Sequence, residues 1–196
     1  MPTLNWKDVP LPPLMRALPK DERGFPIPVI ILRDPDGKAI FSANNGNVVE
    51  KCAKEHLCGV CGNKLLDDTW VLGGPLSAFH PHGVYIDTPI HHECGTYALQ
   101  VYPYLVLSSY RSVPDRVGKL NERFAGTAVL VNPTQDPNRP PFFVFAKVSG
   151  YERDNGYVYP VRPFLAEEFW LAGERISRER ALEVVNADQD SRSQKG

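Results

Sequence analysis

Two stretches decide the reading of this chain: "HLCGVCGNKL" (residues 56–65) and "DTPIHHECGTY" (residues 87–97), which hold three of its four cysteines. In the first, Cys58-x-x-Cys61-Gly62 has the form of a metal-binding knuckle. Two thiolates three residues apart can hold one ion while a tight turn aims backbone N–H groups at the sulfurs, and Gly62 tolerates the sharp exit. In the second, His91-x-x-Cys94 falls where a helix is predicted to begin, so positions i and i+3 share a face and the positive helix end favours a thiolate. His92 points away from such a face, which leaves His91 as the ligand. Cys58, Cys61, His91 and Cys94 are therefore the expected ligands of one structural zinc ion.

The 29 residues between the two pairs leave room for a β-hairpin. Knuckle, hairpin and a helix with two ligands in its first turn is the order of treble-clef zinc fingers. A redox reading of Cys58 and Cys61 fares worse, because "GNKLLDD" follows them rather than an obvious helix, and His91 and Cys94 are left without a role. Cys52 reads as a buried helix residue. Four protein ligands close a coordination sphere, whereas a catalytic metal keeps a position open for water. The expected site therefore stabilises a fold, supplying on the order of 10 kcal/mol of apparent folding free energy.

Composition sets the surroundings of this site. The chain has 196 residues, 42% of them hydrophobic, enough for one sizeable core. Apolar runs such as "FFVFA" and "YLVLS" fall far short of the roughly 20 residues of a membrane-spanning helix. No basic stretch followed by an apolar run opens the chain, so no secretory signal is read and a cytoplasmic location is expected. Cysteines there serve metals more often than disulfides. The net charge is −1, but from Cys58 to Leu105 a single basic residue, Lys64, faces Asp67, Asp68, Asp87 and Glu93. A finger that grips nucleic acid needs Lys and Arg for phosphates, and this one is acidic.

Seven of the nineteen prolines lie within residues 1–28, which predicts an extended arm (residues 1–27) with at most a helical turn near Leu14 to Leu18. Leu11, Leu14 and Leu18 are expected to cover part of the core; the alternative makes "VPLPPL" a ligand for a proline-reading groove. "PVIILRD", "DPDG" and "KAIFSA" spell a β-hairpin, and "NVVEKCAKEHL" a helix with Val48, Val49, Cys52 and Leu57 on one face. "TWVLGG" and "VYIDT" read as strands flanking a loop "PLSAFHPHG". "IHHECGTYALQVY" reads as a helix between Pro89 and Pro103. Strands are expected in "GTAVLVNP", "PFFVFAKVSGY" and "YVYPV", the last two joined through the turn "RDNG". "LAEEFWLAG" reads as a short helix stopped by Gly173, and Ser177 as the N-cap of "RERALEVVNA". The whole is an α+β fold with an embedded finger at residues 56–103 inside one domain (28–185), followed by a flexible tail (186–196).

His80 and His82, in "FHPHGVY", lie close in sequence to Asp87, His91 and His92. That concentration of donors supports an alternative, an HNH-like metal-dependent nuclease with His80 and His82 as catalytic residues, or a nucleic-acid-binding protein using the same loop. Against it, no Asn occurs from Lys64 to Leu120, and the segment is too acidic to hold a phosphodiester easily. Arg111, Arg116, Lys119 and Arg123 are interrupted by Asp115 and Glu122, which suits a solvated face.

The order of motifs resembles a family of small bacterial and bacteriophage zinc-finger-like proteins. The likeness runs through "RGFPIPVI" from Arg23, "LCGVCGNKL", "HHEC" and "FWLAGERISRERALEVV" from Phe169, with weaker similarity between. The family pattern carries Trp where this chain has Val29, and a different loop precedes His91, so "AFHPHGVYID" has a character of its own. The resemblance implies a phage or mobile-element setting and a bound zinc, without an established activity. The expected role is non-enzymatic: a zinc-stabilised protein binding a macromolecular partner, a host protein in the host cytoplasm if the setting is that of a phage.

Overall fold

The computed structural model describes residues 6–107 and 139–193. The expected strand "GTAVLVNP" and the basic group from Arg111 to Arg123 lie outside the described residues. What is described is an α+β fold with three small antiparallel sheets.

Strand β1 (Ile31–Arg33) pairs antiparallel with β2 (Ala39–Asn44), as the hairpin signal predicts, with an irregularity between Ile31 and Leu32. Helix α1 (Gly46–Lys54) follows at once. Asn45 caps it, its side chain accepting from the N–H groups of Asn47 and Val48, two of the four donors that a helix start leaves without partners. The apolar face is the expected one, with Val49 and Cys52 buried and Val48 and Leu57 packed beside them. Asn45→Ala is expected to lower stability by about 1 kcal/mol, read as a shift of the urea midpoint with unchanged slope.

The central sheet has the order β3-β4-β7-β8, where β3 is Trp70–Gly73, β4 Phe143–Lys147, β7 Ala166–Leu171 and β8 Glu174–Ile176. The remaining pair, β5 (Tyr151–Asp154) and β6 (Tyr157–Pro160), forms a hairpin through Asn155 and Gly156. "PFFVFAKVSGY" is thus two strands, β4 and the start of β5, each in a different sheet. Residues of β4 alternate between two cores. Phe143 and Phe145 join a main core with Trp70, Trp170, Tyr97 and Leu99, while Val144 and Ala146 face two smaller clusters on the opposite side. Burial on both faces explains why the sequence here is a continuous apolar run rather than an alternating one.

Three expectations are corrected. "PLSAF" is helix α2 (Pro75–Phe79), not loop, because Pro75 occupies a first-turn position that needs no N–H. "VYIDT" forms no strand of its own; it contributes one isolated bridge, Tyr85 to Val158, and in place of the hairpin expected between the cysteine and histidine pairs there is a single bridge between Trp70 and Ile90. The partner taken by β3 instead is β4, from far along the chain. "LAEEFWLAG" is strand β7, not a helix. Its Leu, Ala and Glu favour a helix, but pairing with β4 buries Phe169 and Trp170 on opposite faces, and tertiary burial outweighs local propensity. Gly173 ends the element as expected, but as part of a hairpin turn in which Ala172 and Gly173 both have positive φ, 51° and 87°, the pattern that the tightest hairpins require.

Helix α3 (His92–Val101) begins and ends where expected and leads through Tyr102 into the short α4 (Pro103–Val106). Helix α5 (Arg178–Ser193) is capped by Ser177, whose Oγ accepts from the Arg180 N–H at 3.2 Å, and it runs on to Ser193, past the expected fraying point. Residues 6–27 lie against the core with only two 3-10 turns, Trp6–Asp8 and Pro13–Met15. Met15 and Phe25 belong to the main core, Leu11 and Leu18 pack against it, and Leu14 is exposed. Among the described residues no helix is long and apolar enough to cross a membrane.

Candidate metal centre

The knuckle is a small hairpin of its own. Leu57 bridges Lys64, the Cys58 N–H donates to Asn63 O at 2.7 Å and the Gly62 N–H to Cys58 O at 2.8 Å. Gly62 has φ +77°, and a Cβ there would lie 3.3 Å from Val29, so a side chain would be strained by both conformation and crowding. Outside contacts hold the turn in place. Val29 N–H donates to Val60 O, Ile30 N–H to Gly59 O, and the Gly59 N–H to Pro89 O. The knuckle is therefore pinned between the strand-like segment before β1 and the segment entering α3.

The second pair arrives on α3. His91 is its N-cap residue and Cys94 lies in its first turn. Since His91 makes no side-chain cap, Asp68 takes over: its carboxylate accepts from the His92 N–H at 2.9 Å and from Trp70 Nε1 at 2.7 Å. A carboxylate at this end also suits the helix dipole. Sequence reasoning counted Asp68 only as surface charge; its local signal, an Asp just before the strand that faces the helix start, becomes readable only once the strand and helix are adjacent.

Cys58, Cys61, His91 and Cys94 converge, their ligand atoms all within 4.8 Å of one another. Cys61 Sγ lies 3.4 Å from His91 Nδ1. A tetrahedral site with metal–sulfur bonds of about 2.3 Å and metal–nitrogen bonds of about 2.0–2.1 Å spaces its ligand atoms roughly 3.3–3.8 Å apart, so the donors fit one ion, and the spread is too small for a multi-iron cluster. His91 Nε2 meets the carbonyl of Lys64 at 2.8 Å. A carbonyl only accepts, so Nε2 carries the proton and Nδ1 presents its lone pair to the three sulfurs, the usual way an outer partner orients an imidazole ligand. Cys58, Cys94 and His91 are buried and Cys61 is half-buried.

Electrostatics suit a cation. Burial opposes charge on Cys58, yet hydrogen bonds from the Cys61 and Cys94 thiols and from the backbone N–H groups of Cys61 and His91 overcome it and bring the group down to about 3. The same bonds to Cys58 and Cys61, with burial, push Cys94 upward. Because thiolates are the ligands, an ion that enters must displace any proton its thiols carry. Acidification restores such protons and competes with the metal. Affinity is expected to fall about tenfold per pH unit for each proton displaced, between pH 8 and 6 in chelator competition; a flat profile would show that the thiols do not ligate.

The other candidates separate. His92 turns away as expected, its Nε2 3.0 Å from Glu168 Oε1, its ring stacked on Phe145 and tilted against Trp70. Glu168, buried on β7, also accepts from Trp170 Nε1 and pairs with Arg175, a cluster that the helical reading of this segment concealed. Cys52 is buried on α1, and burial raises its thiol to about 11, which leaves it an inert core residue at neutral pH. His80 and His82 are exposed at the end of α2, ring centroids 5.9 Å apart, with His80 Nδ1 accepting from the His82 N–H. Among the described residues they gather no third His, Cys, Asp or Glu. Asp87 instead accepts a hydrogen bond from Asn44.

Fold and site together define an α+β protein with a compact Cys3His centre able to hold one metal ion. No protein-family model, curated protein or solved structure matches the chain.

Proposed function

We propose that this is a zinc-stabilised, non-enzymatic protein, built around a treble-clef-like finger, that acts by binding a protein partner. The observation carrying the proposal is the convergence of three thiols and one correctly presented imidazole within 4.8 Å. Thiolate and imidazole donors in this number select zinc over harder cations, and four protein ligands leave no position for a reacting water. The finger-like order is supported by the sequence knuckle, Trp70–Ile90 bridge, then α3 with His91 and Cys94 at its start. A protein partner is favoured over nucleic acid by the acidic character of residues 58–105. Likeness to bacterial and bacteriophage zinc-finger-like proteins supports a phage-encoded role on a host protein in the host cytoplasm.

Native mass spectrometry is expected to find one zinc per chain. Tagged protein incubated with nuclease-treated bacterial lysate is expected to retain one stoichiometric host protein that rebinds when both are pure. Divalent-cation-dependent cleavage of DNA or RNA, lost in His80→Ala or His82→Ala while the fold persists, would overturn the proposal in favour of the nuclease.

A further inference from the structure

The four ligands are not equally sheltered. Cys58 and Cys94 are fully buried and His91 is 7% exposed, whereas Cys61 is the one half-buried ligand. Asn63 and Lys64, which follow it in the chain, are exposed, and Lys64 Nζ donates to Glu55 O. Cys58 is the sulfur joined to Cys61 through a single tight turn, with the Cys61 N–H 3.5 Å from Cys58 Sγ. Cys94 sits on α3, which is held through Gly95 against Phe145. A bond between Cys58 and Cys61 closes across one turn, with only Gly59 and Val60 between them, while one to Cys94 must draw in a helix packed on Phe145.

We propose that Cys61 is the site through which peroxides act on this protein, closing a Cys58–Cys61 disulfide and expelling the metal. This rests on the metal reading above. The Cys61 thiolate attacks a peroxide oxygen, the O–O bond breaks, and with one proton taken up the products are Cys61 sulfenic acid and water. The Cys58 thiolate then attacks the Cys61 sulfur; the S–O bond breaks, the departing hydroxide takes up a second proton and leaves as water, and the disulfide forms. Two thiolates lose two electrons in total and one hydrogen peroxide gains them. With half its donors gone the ion leaves as a dication, and a dithiol reductant regenerates both thiols. The buried Cys52 takes no part.

The experiment treats the zinc-loaded full chain with equimolar hydrogen peroxide and follows it by native mass spectrometry, a colorimetric zinc indicator and peptide mapping. The expected result is loss of one zinc per chain, a chain lighter by two hydrogens, a mapped Cys58–Cys61 bond, and recovery with dithiothreitol and zinc. Cys52→Ser is expected to release zinc at the wild-type rate. Cys61→His, which ligates through nitrogen, is expected to release it at least tenfold more slowly. First oxidation at Cys94 or Cys52, or a Cys94 disulfide as the major product, overturns the proposal, and the mapping decides this even if Cys61→His binds zinc poorly. A chain carrying no zinc before peroxide is added overturns the metal reading instead, and the order of cysteine oxidation then reads the reactivity of Cys61 by itself.

Discussion

Cys94→Ser is expected to abolish metal binding at the Cys3His centre and to unfold the segments that form it. Cys94 is fully buried, in the first turn of a helix that also carries His91 at its cap, so serine leaves the remaining three donors one short of a tetrahedral set. Structural zinc sites of this donor type contribute on the order of 10 kcal/mol or more of apparent folding free energy at neutral pH, comparable to the whole stability of an ordinary domain. The loss spreads beyond these segments, because Cys58 and Cys94 belong to the same buried cluster as Trp70, Phe145 and Trp170. The expected observation is a zinc content near zero, a broadened thermal transition and resonances of residues 56–101 collapsed toward random-coil positions. Chelation of the wild-type protein should give the same spectrum. A Cys94→Ser protein retaining one tight zinc and a sharp transition would show that the ion is held elsewhere.

Gly95→Ala is the second large effect, and its sign runs against helix propensity. Alanine in place of a helical glycine ordinarily stabilises by about 1 kcal/mol. Here a Cβ on Gly95 would lie 2.2 Å from Cζ of Phe145, with two further ring atoms inside 3 Å, and Phe145 is completely buried between Trp70 and His92. Neither the helix nor the ring has room to give, so overpacking should dominate and destabilise by roughly 2–3 kcal/mol. Phe145→Ala alone should cost about 3–5 kcal/mol by opening a cavity. The Gly95→Ala/Phe145→Leu double variant should be more stable than the sum of its single changes, since the smaller side chain vacates the space that the new methyl enters. Additive energies in that cycle would mean that the helix and strand are farther apart than described. Because α3 carries Cys94 beside Gly95, Gly95→Ala should also weaken metal affinity.

Much of the centre was legible from local spacing. Cys-x-x-Cys-Gly and His-x-x-Cys each specify a local geometry over three or four residues, a tight turn and one helix face, and local geometry is what a sequence states most directly. The choice of His91 over His92 followed from helix periodicity alone. The first hairpin, the α1 face, the start of α3 and the Ser177 cap were readable for the same reason. The short helix α2 was missed locally, at Pro75, whereas the failures at β3 and β7 involve partners distant in sequence. The turn residues of "VLGGPLSAFHPHGVYID" suggest a hairpin, yet β3 takes β4 as its neighbour, since that pairing buries Phe143 and Phe145 against α3 where a local hairpin would bury far less.

What the sequence determined by itself is the set of four converging donors and the α+β class, because both rest on periodicities and spacings of a few residues. Tertiary structure alone decided how the two halves of the centre are brought together. The knuckle is pinned by Val29, Ile30 and Pro89, His91 is oriented by the Lys64 carbonyl, and α3 is started by Asp68 and seated on Phe145 through Gly95. Tertiary burial also made a strand of "AEEFWL", where helix-forming residues gave way to pairing with β4 and to the contacts of buried Glu168 with His92, Trp170 and Arg175. Such contacts depend on shape and on hydrogen-bond partners brought from tens of residues away, and no local pattern encodes them.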